Sequence, residues 1–335
     1  MRRDFVFAFS ARVVDKRSMK KLPYHRYLHR IAPTPLVPVR LDEESPEIWC
    51  KLEYLNPSGS TKDRIARHIL EKAWRQDRLK PGDVVVEASS GSTSIALALA
   101  CAQMGLRFLA YIPDTATNER ALMIKAYGAE VRKVSGGMPE VIKAASDFAR
   151  ESGAFLARQF ENPDNAEAHQ LFTAHEIMVQ LPDANIDAVV SGIGTGGTLV
   201  GLHSGFRLAG CTTLPVAAIP LCADGEMASN VECCSLRFSK DVPGVIDGCS
   251  QLFADWRQSK YAADLREITI DDQECLKLTH RLWAMGFPVG PSSGLNLAAT
   301  MHIAAELPAD ATVVTVFPDR MERYFSHKVF EGLCD

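Results

Sequence analysis

A lysine lies where a helix is predicted to begin, and that position favours its neutral amine. Lys62 belongs to the polar segment 56–64, which leads into an amphipathic helix with apolar residues at helical spacing from Ile65 onwards. Ser60 and Asp63 are predicted to cap this helix. The positive end of the helix dipole disfavours an ammonium by a few tenths to about 1 kcal/mol. A neutral amine can condense with an aldehyde cofactor, so Lys62 is the predicted catalytic residue, and a solvated surface lysine is the alternative.

Two further loops suit anions. Residues 89–94 lie between a predicted strand and an apolar helix, so hydroxyl groups and the free N–H groups of a helix start meet there. This loop is predicted to hold a substrate carboxylate, and the alternative is a polar loop with a good helix cap. The residues predicted to bind substrate in it are Ser89, Ser90, Gly91 and Thr93.

The second anion loop, residues 191–198, is rich in glycine and also lies between a strand and a helix. Glycines let the backbone approach an anion, and threonine hydroxyls add donors, so a phosphate monoester is the predicted ligand. The predicted ligand-binding residues are Gly194, Thr195, Gly196, Gly197 and Thr198. The glycines also fit the G-x-G-x-x-G pattern of dinucleotide binding, but Asp224 and Glu226 lie too far downstream to complete it.

A fourth turn, residues 290–294, opens a helix of small residues. The hydroxyl of Ser292 is able to face a heterocyclic nitrogen. On this turn alone, however, a helix cap is the better interpretation.

The elements that position these loops alternate strand with helix, which predicts parallel sheets. Strands are predicted at 83–87, 108–112, 131–134, 188–191, 215–219 and 312–317, and helices at 94–103, 119–127, 139–151, from about 198, and at 295–305. A second sheet, or a second lobe, is predicted after the first three strands. The 335 residues suit two α/β lobes of roughly 100–200 residues each, with a cleft between them.

The composition excludes several classes of function. A net charge of −4 offers no basic face for nucleic acid. No apolar run reaches the roughly 18 residues of a membrane span, and the N-terminal apolar run is too short for a secretion signal. Nine scattered cysteines without a C-x-x-C pair or a zinc spacing predict reduced thiols, no metal site and a cytoplasmic enzyme.

Taken in order, these motifs resemble the pyridoxal 5'-phosphate (PLP) enzymes of the cysteine synthase (O-acetylserine sulfhydrylase) and cystathionine β-synthase family. The similarity runs from about Pro33 to the C-terminus. It includes Thr34-Pro35-Leu36, Lys51-Leu52-Glu53, Asn56-Pro57, Lys62-Asp63-Arg64, Pro318-Asp319 and Glu322-Arg323-Tyr324.

The resemblance implies a two-lobe α/β fold like that of the tryptophan synthase β subunit, each lobe a mostly parallel twisted sheet flanked by helices, in a homodimer. It places residues 56–161 in a smaller mobile lobe that grips the substrate carboxylate. Residues 1–55 and 162–335 form the larger lobe, which holds the PLP phosphate and pyridine ring.

Roles for single residues also follow from the resemblance. Lys62 carries PLP as a Schiff base, residues 194–198 hold its phosphate, and Ser292 faces its pyridine nitrogen. Gln159 assists the substrate carboxylate loop. No metal is implied.

This chain departs from the family pattern at three places. Ser92 stands where the family usually has an asparagine beside the phenolic oxygen of PLP, so Ser92 is a predicted cofactor contact, and Ser94 replaces a glycine. Residues 240–248 replace a glycine-rich stretch at the active-site mouth, which predicts a different leaving group or acceptor. The first 30 residues have no predicted role beyond a dimer arm or surface helix.

The implied reaction is β-replacement on a serine-derived amino acid through an aminoacrylate, giving cysteine from O-acetylserine or O-phosphoserine and sulfide. A cysteine desulfhydrase, or β-elimination lyase, shares that intermediate and releases sulfide, pyruvate and ammonia. Cystathionine β-synthase-like thiol exchange is a further variant. A nicotinamide oxidoreductase is a further alternative, but it leaves Lys62 unexplained. The presence of Lys62 also argues against an inactive family member that serves only as a binding partner.

Overall fold

The computed structural model describes residues 31–182, 184–221, 241–245 and 248–331. The first 30 residues, Asp224, Glu226 and positions 240, 246 and 247 therefore lie outside the described residues. Among the described helices, none is long and apolar enough to cross a membrane.

The strands in the described part of the chain form two sheets. They are β1 (Leu36–Val39), β2 (Ile48–Lys51), β3 (Val84–Ala88), β4 (Arg107–Pro113), β5 (Glu130–Val134), β6 (Phe155–Leu156), β7 (Ala188–Gly192), β8 (Leu214–Leu221), β9 (Arg266–Asp271) and β10 (Val313–Val316). One sheet has the order β5-β4-β3-β6 and is parallel throughout. The other has the order β1-β2-β10-β7-β8-β9, in which only β1 runs antiparallel to its neighbour.

Helices flank both sheets. They are α1 (Lys62–Arg75), α2 (Ser92–Met104), α3 (Asn118–Ala126), α4 (Met138–Ser152), α5 (Asp164–Ala168), α6 (His175–Gln180), α7 (Gly197–Leu208), α8 (Gln251–Arg257), α9 (Asp272–Ala284) and α10 (Pro291–Glu306). A π-helical stretch, His169–Ala174, joins α5 to α6. Short 3-10 turns lie at Glu53–Leu55, Lys260–Ala262, Met321–Tyr324 and Lys328–Phe330.

Burial on both faces explains why the central strands are apolar runs without alternation. In β7, Val189 packs in the cluster that contains Leu202 of α7, whereas Val190 packs in the cluster that contains Leu295 of α10. The smaller sheet shares its core with Trp74 of α1. Helix α1, which begins at Lys62, therefore shares one apolar core with α2 and the smaller sheet.

The predicted alternation is confirmed, together with the second sheet. Each of the six predicted strands is found with ends that differ from the prediction by at most two residues. Strands β1, β2, β6 and β9 were not predicted, because they are short or carry exposed polar residues.

Candidate active site

The four loops that the sequence singled out meet in one cleft. The loops 89–94 and 191–198 directly follow the carboxyl ends of β3 and β7, and segment 56–64 comes after β2 and a 3-10 turn. The carboxyl ends of parallel strands are the edge at which α/β sheets bind ligands. Of the predicted site residues, those lining the cleft are Lys62, Ser89, Ser90, Ser92, Thr93, Gln159, Gly194, Thr195, Gly196, Thr198 and Ser292. Gly91 and Gly197 lie behind the lining, as the N-cap of α2 and the first residue of α7.

Lys62 is the first residue of α1, and its side chain reaches the cleft. Burial lowers the pKa of its amine, and the negative charge of Asp319 opposes that shift. Both members of the predicted capping pair accept a backbone N–H: the Ser60 hydroxyl accepts from Lys62 at 3.2 Å, and Asp63 Oδ2 accepts from Ser60 at 3.4 Å. The carboxylate of Asp63 accepts mainly from Ser58, at 2.9 Å from its N–H and 2.6 Å from its hydroxyl. These bonds fix the backbone around a lysine whose pKa is lowered by burial.

The glycine loop before α7 has no room for side chains. Gly196 has φ +75°, and a Cβ there would lie 2.6 Å from the Cβ of Phe253. At Gly194, a Cβ would lie 2.3 Å from the carbonyl oxygen of Gly244. The loop therefore presents bare backbone beside the N-terminus of α7, where free N–H groups attract an anion.

The hydroxyl loop before α2 is bound to Gln159. Thr93 Oγ1 donates to Gln159 Oε1 at 2.6 Å, and Gln159 Nε2 donates to the carbonyl oxygen of Ala88 at 2.5 Å. The Ser89 hydroxyl accepts from the N–H groups of Gly91 and Ser94, at 2.9 and 3.2 Å. The Ser89 hydroxyl thus fixes the shape of the loop. The loop and Gln159 both line the cleft.

Ser292 is the second residue of α10, whose N-cap is Gly290. The interpretation of Ser292 as a helix cap is therefore wrong, because the helix begins at Pro291, two residues before the start that Ser292 would cap. Ser292 instead lines the cleft and is 7% exposed.

The chain matches the pyridoxal-phosphate dependent enzyme family over residues 27–319. It belongs to that family. It is thus an enzyme whose cofactor is PLP. It is 35% identical over 321 residues to the cysteine synthase of Staphylococcus aureus, with 93% of this chain and 99% of the relative covered.

Two further relatives carry other names. The O-ureido-L-serine synthase of Streptomyces lavendulae is 34% identical over 321 residues, covering 92% of this chain and 94% of the relative. The crystal structure of a hydrogen sulfide-producing enzyme from Fusobacterium nucleatum is 29% identical, with a TM-score of 0.79 and 90% of each chain covered.

The cleft of this PLP enzyme suits its cofactor chemically. The lowered pKa of Lys62 leaves an amine able to attack an aldehyde. The glycine loop at the start of α7 offers N–H groups and hydroxyls to a phosphate. An uncharged hydroxyl at Ser292 lies in the same cleft.

Ser92 is held by residues of the C-terminal motifs to which sequence analysis gave no role. Asp319 Oδ2 accepts from the Ser92 hydroxyl at 3.1 Å and from Tyr324 Oη at 2.7 Å. Arg323 donates to the Ser92 hydroxyl at 3.2 Å and to the carbonyl oxygen of Ser58 at 2.6 Å. Ser92 is therefore anchored by the segment that follows β10, and this role had no local signal in the sequence.

A buried ion network holds the start of α1. Arg64 makes paired bonds of 2.7 Å to the two carboxylate oxygens of Glu53, and bonds of 2.7 and 2.8 Å to those of Glu176. Lys51 contacts Glu176 at 2.8 Å, and Thr34 donates to Glu53 at 2.7 Å. The sequence motifs 34–36, 51–53 and 62–64 thus meet around Arg64, two residues from Lys62.

Glu87 is a buried carboxyl that connects the end of β3 to Gln159. It accepts from the N–H of Ala88 at 2.8 Å and from that of Gln159 at 3.0 Å. Burial raises the pKa of Glu87 to about 8, in spite of these two bonds. The carboxyl is therefore largely protonated at neutral pH.

The unfolding free energy is expected to fall as pH rises, because folding raises the pKa of Glu87. Its pKa is raised on folding, so its contribution is fully present below about 4.5 and lost as pH rises through about 8. Between pH 6 and 9 the wild type should lose on the order of 2 kcal/mol more unfolding free energy than Glu87→Gln. Urea unfolding at both pH values measures this, with the exposed Glu130→Gln as control. Equal losses in wild type and Glu87→Gln would contradict the expectation.

Proposed function

We propose that this PLP enzyme catalyses β-replacement on a serine-derived amino acid, forming cysteine from O-acetylserine or O-phosphoserine and sulfide. The observation that carries the proposal is the convergence of a buried amine, a glycine loop and a hydroxyl loop in one cleft. The cysteine synthase similarity over nearly the whole chain supports it.

The proposed residue roles follow the chemistry of each loop. Residues 194–198 bind the PLP phosphate, Ser292 faces the ring nitrogen, and Ser92 lies beside the ring. The loop residues Ser89, Ser90, Gly91 and Thr93, together with Gln159, form the substrate carboxylate site. When bound, PLP withdraws electrons from the substrate and makes its α-proton acidic.

Lys62 has two roles in this proposal. It holds the cofactor aldehyde at rest, and once substrate displaces it, its free amine removes the α-proton. The amine is ready to accept a proton because burial lowers its pKa. Asp319, whose charge favours the protonated form, then stabilises the ammonium that results.

We also propose that residues 56–161 form a smaller mobile lobe, with 1–55 and 162–335 in a larger one. The apolar core that α1 shares with α2 and the smaller sheet supports this division. Closure of that lobe on an amino acid would exclude water from the cleft. Small-angle scattering should give a smaller radius of gyration with substrate bound.

Desulfhydrase activity is the second candidate, favoured by the similarity to the hydrogen sulfide-producing enzyme. The deciding experiment gives the protein O-acetylserine with sulfide, O-phosphoserine with sulfide, or cysteine alone. Cysteine formed faster than pyruvate supports β-replacement. Sulfide and pyruvate released from cysteine, with little cysteine made from either donor, would reject it in favour of the lyase.

Gln159→Ala is expected to weaken amino-acid binding more than turnover. Its amide contacts Thr93 and Ala88 at the proposed carboxylate site, so its loss should raise KM about tenfold. The value of kcat should change less, because the amide does not contact the reacting carbon. Steady-state kinetics with the exposed Gln258→Ala as control measures the split. A fall in kcat at unchanged KM would contradict this assignment.

A homodimer in the cytoplasm completes the proposal. Phe172 and Val179 are exposed apolar side chains, 46% and 63% accessible, on the helical stretch that contains α6. Cys50, Cys101 and Cys275 are buried thiols outside any disulfide, as in a reducing compartment. Light scattering at micromolar concentration should give twice the mass of one chain.

A further inference from the structure

Asn165 lies behind the glycine loop and is 1% exposed. Its Nδ2 donates to two oxygens, the carbonyl of Gln159 at 2.9 Å and Thr195 Oγ1 at 2.8 Å. A backbone carbonyl can only accept, so the amide atom that faces Gln159 must be the nitrogen. The same nitrogen therefore also faces Thr195, and the orientation of the amide is determined.

The direction of that bond orients the Thr195 hydroxyl. Because Thr195 Oγ1 accepts from Asn165, its own proton must point elsewhere. Thr195 lines the cleft, and among the described residues no acceptor bonds to this hydroxyl. The proton of this hydroxyl is thus not committed to Asn165 and is available to a ligand in the cleft.

The helical segment that carries Asn165 packs closely against the loop. A Cβ on Gly197 would lie 2.0 Å from Asn165 Oδ1, so the amide packs directly against the first residue of α7. Four residues further on, His169 Nε2 lies 3.3 Å from Thr198 Oγ1. Burial lowers the pKa of His169 to about 3, so this residue adds no positive charge. Both threonines of the loop are therefore contacted by neutral groups from one segment.

We propose that Asn165 is a positioning residue for the PLP phosphate, because it commits the Thr195 hydroxyl to donate into the loop. The inference rests on the proposed assignment of residues 194–198 as the phosphate site. Asn165, which lies 30 positions before Thr195, orients the Thr195 hydroxyl in that site. Since the same amide nitrogen also binds the Gln159 carbonyl, Asn165 links the phosphate loop to the proposed carboxylate site.

A double-mutant cycle tests this assignment. Asn165→Ala, Thr195→Val and the double variant are compared by equilibrium dialysis of PLP from the holoenzyme and by the ³¹P NMR shift of bound PLP. Thr195→Val should weaken PLP binding about ten- to a hundredfold and Asn165→Ala about tenfold, as expected for hydrogen bonds to a charged group. In the Thr195→Val background, Asn165→Ala should weaken PLP binding less than about threefold, since no hydroxyl is left to orient.

Two further variants sharpen the test. Asn165→Asp has almost the same shape but accepts the Thr195 proton and adds a negative charge, so it should weaken PLP binding more than Asn165→Ala. The exposed Asn118→Ala is the control and should bind PLP as the wild type does. If Asn165→Ala does not fold, as judged by circular dichroism, Asn165→Ser replaces it in the cycle.

The outcomes separate this inference from the site assignment. An Asn165→Ala penalty of equal size in both backgrounds would reject the positioning role, because Asn165 would then act through Gln159 or through the fold. Unchanged PLP binding and ³¹P shift in Thr195→Val would instead reject residues 194–198 as the phosphate site.

Discussion

Replacing Lys62 by alanine should reduce turnover at least about a thousandfold and abolish covalent retention of PLP. In the proposed mechanism the variant loses the amine that holds the aldehyde and also the base that removes the α-proton. A positioned base alone contributes roughly 10²–10⁴-fold. No other lysine lines the cleft among the described residues, so no neighbouring amine can substitute. Steady-state rates and mass spectrometry after borohydride reduction measure the two losses.

Two controls separate chemistry from folding. The exposed Lys80→Ala should retain activity and the reduced adduct at Lys62. Lys62→Arg preserves a long cationic side chain, yet its guanidinium stays protonated, so it should be as inactive as the alanine variant. A Lys62→Ala protein that still turned over and kept PLP after reduction would refute the assignment.

Replacing Arg64 by leucine should lower the unfolding free energy by about 3–5 kcal/mol at pH 7, the cost of breaking a buried ion pair from one side. Glu53 is fully buried, and Arg64 bonds both of its carboxylate oxygens. Without the guanidinium, Glu53 must either remain charged in the interior or take up a proton. Chemical denaturation of the holoenzyme measures the loss.

The loss should depend on pH with a defined sign. Burial pushes the pKa of Glu53 up, but the charge and hydrogen bonds of Arg64 outweigh it and hold the pKa at about 2. A carboxyl with a lowered pKa stabilises the fold at pH values above its ordinary pKa of 4.5. This stabilisation is lost as pH falls towards 2. The difference in unfolding free energy between wild type and Arg64→Leu should therefore shrink as pH falls from about 4.5 towards 2.

The matched control lies on the same helix. Arg75 pairs with Glu71 at 3.2 Å and is about half exposed, so Arg75→Leu should cost less than about 1 kcal/mol. Adding Glu53→Gln to Arg64→Leu should restore part of the stability, because the buried carboxylate is removed. A loss for Arg64→Leu no larger than that for Arg75→Leu would show that the network adds little.

The sequence by itself determined the local parts of this site. Apolar runs followed by glycine, serine and threonine are visible within about ten residues, and they placed Lys62 and the loops at 89–94 and 194–198 correctly at strand and helix ends. Such signals are local, because helix starts and glycine turns depend on neighbouring backbone. The resemblance to PLP enzymes came from the same short motifs.

Only the tertiary structure showed what holds those residues. Ser92 and Asp319 are 227 positions apart, and Arg64 and Glu176 are 112 apart. Asn165 reaches Thr195 across 30 positions from a helix whose sequence has no ligand-binding motif. Periodicity and spacing record backbone geometry over a few turns. These contacts arise instead from the packing of elements distant in the chain, which leaves no local pattern to read.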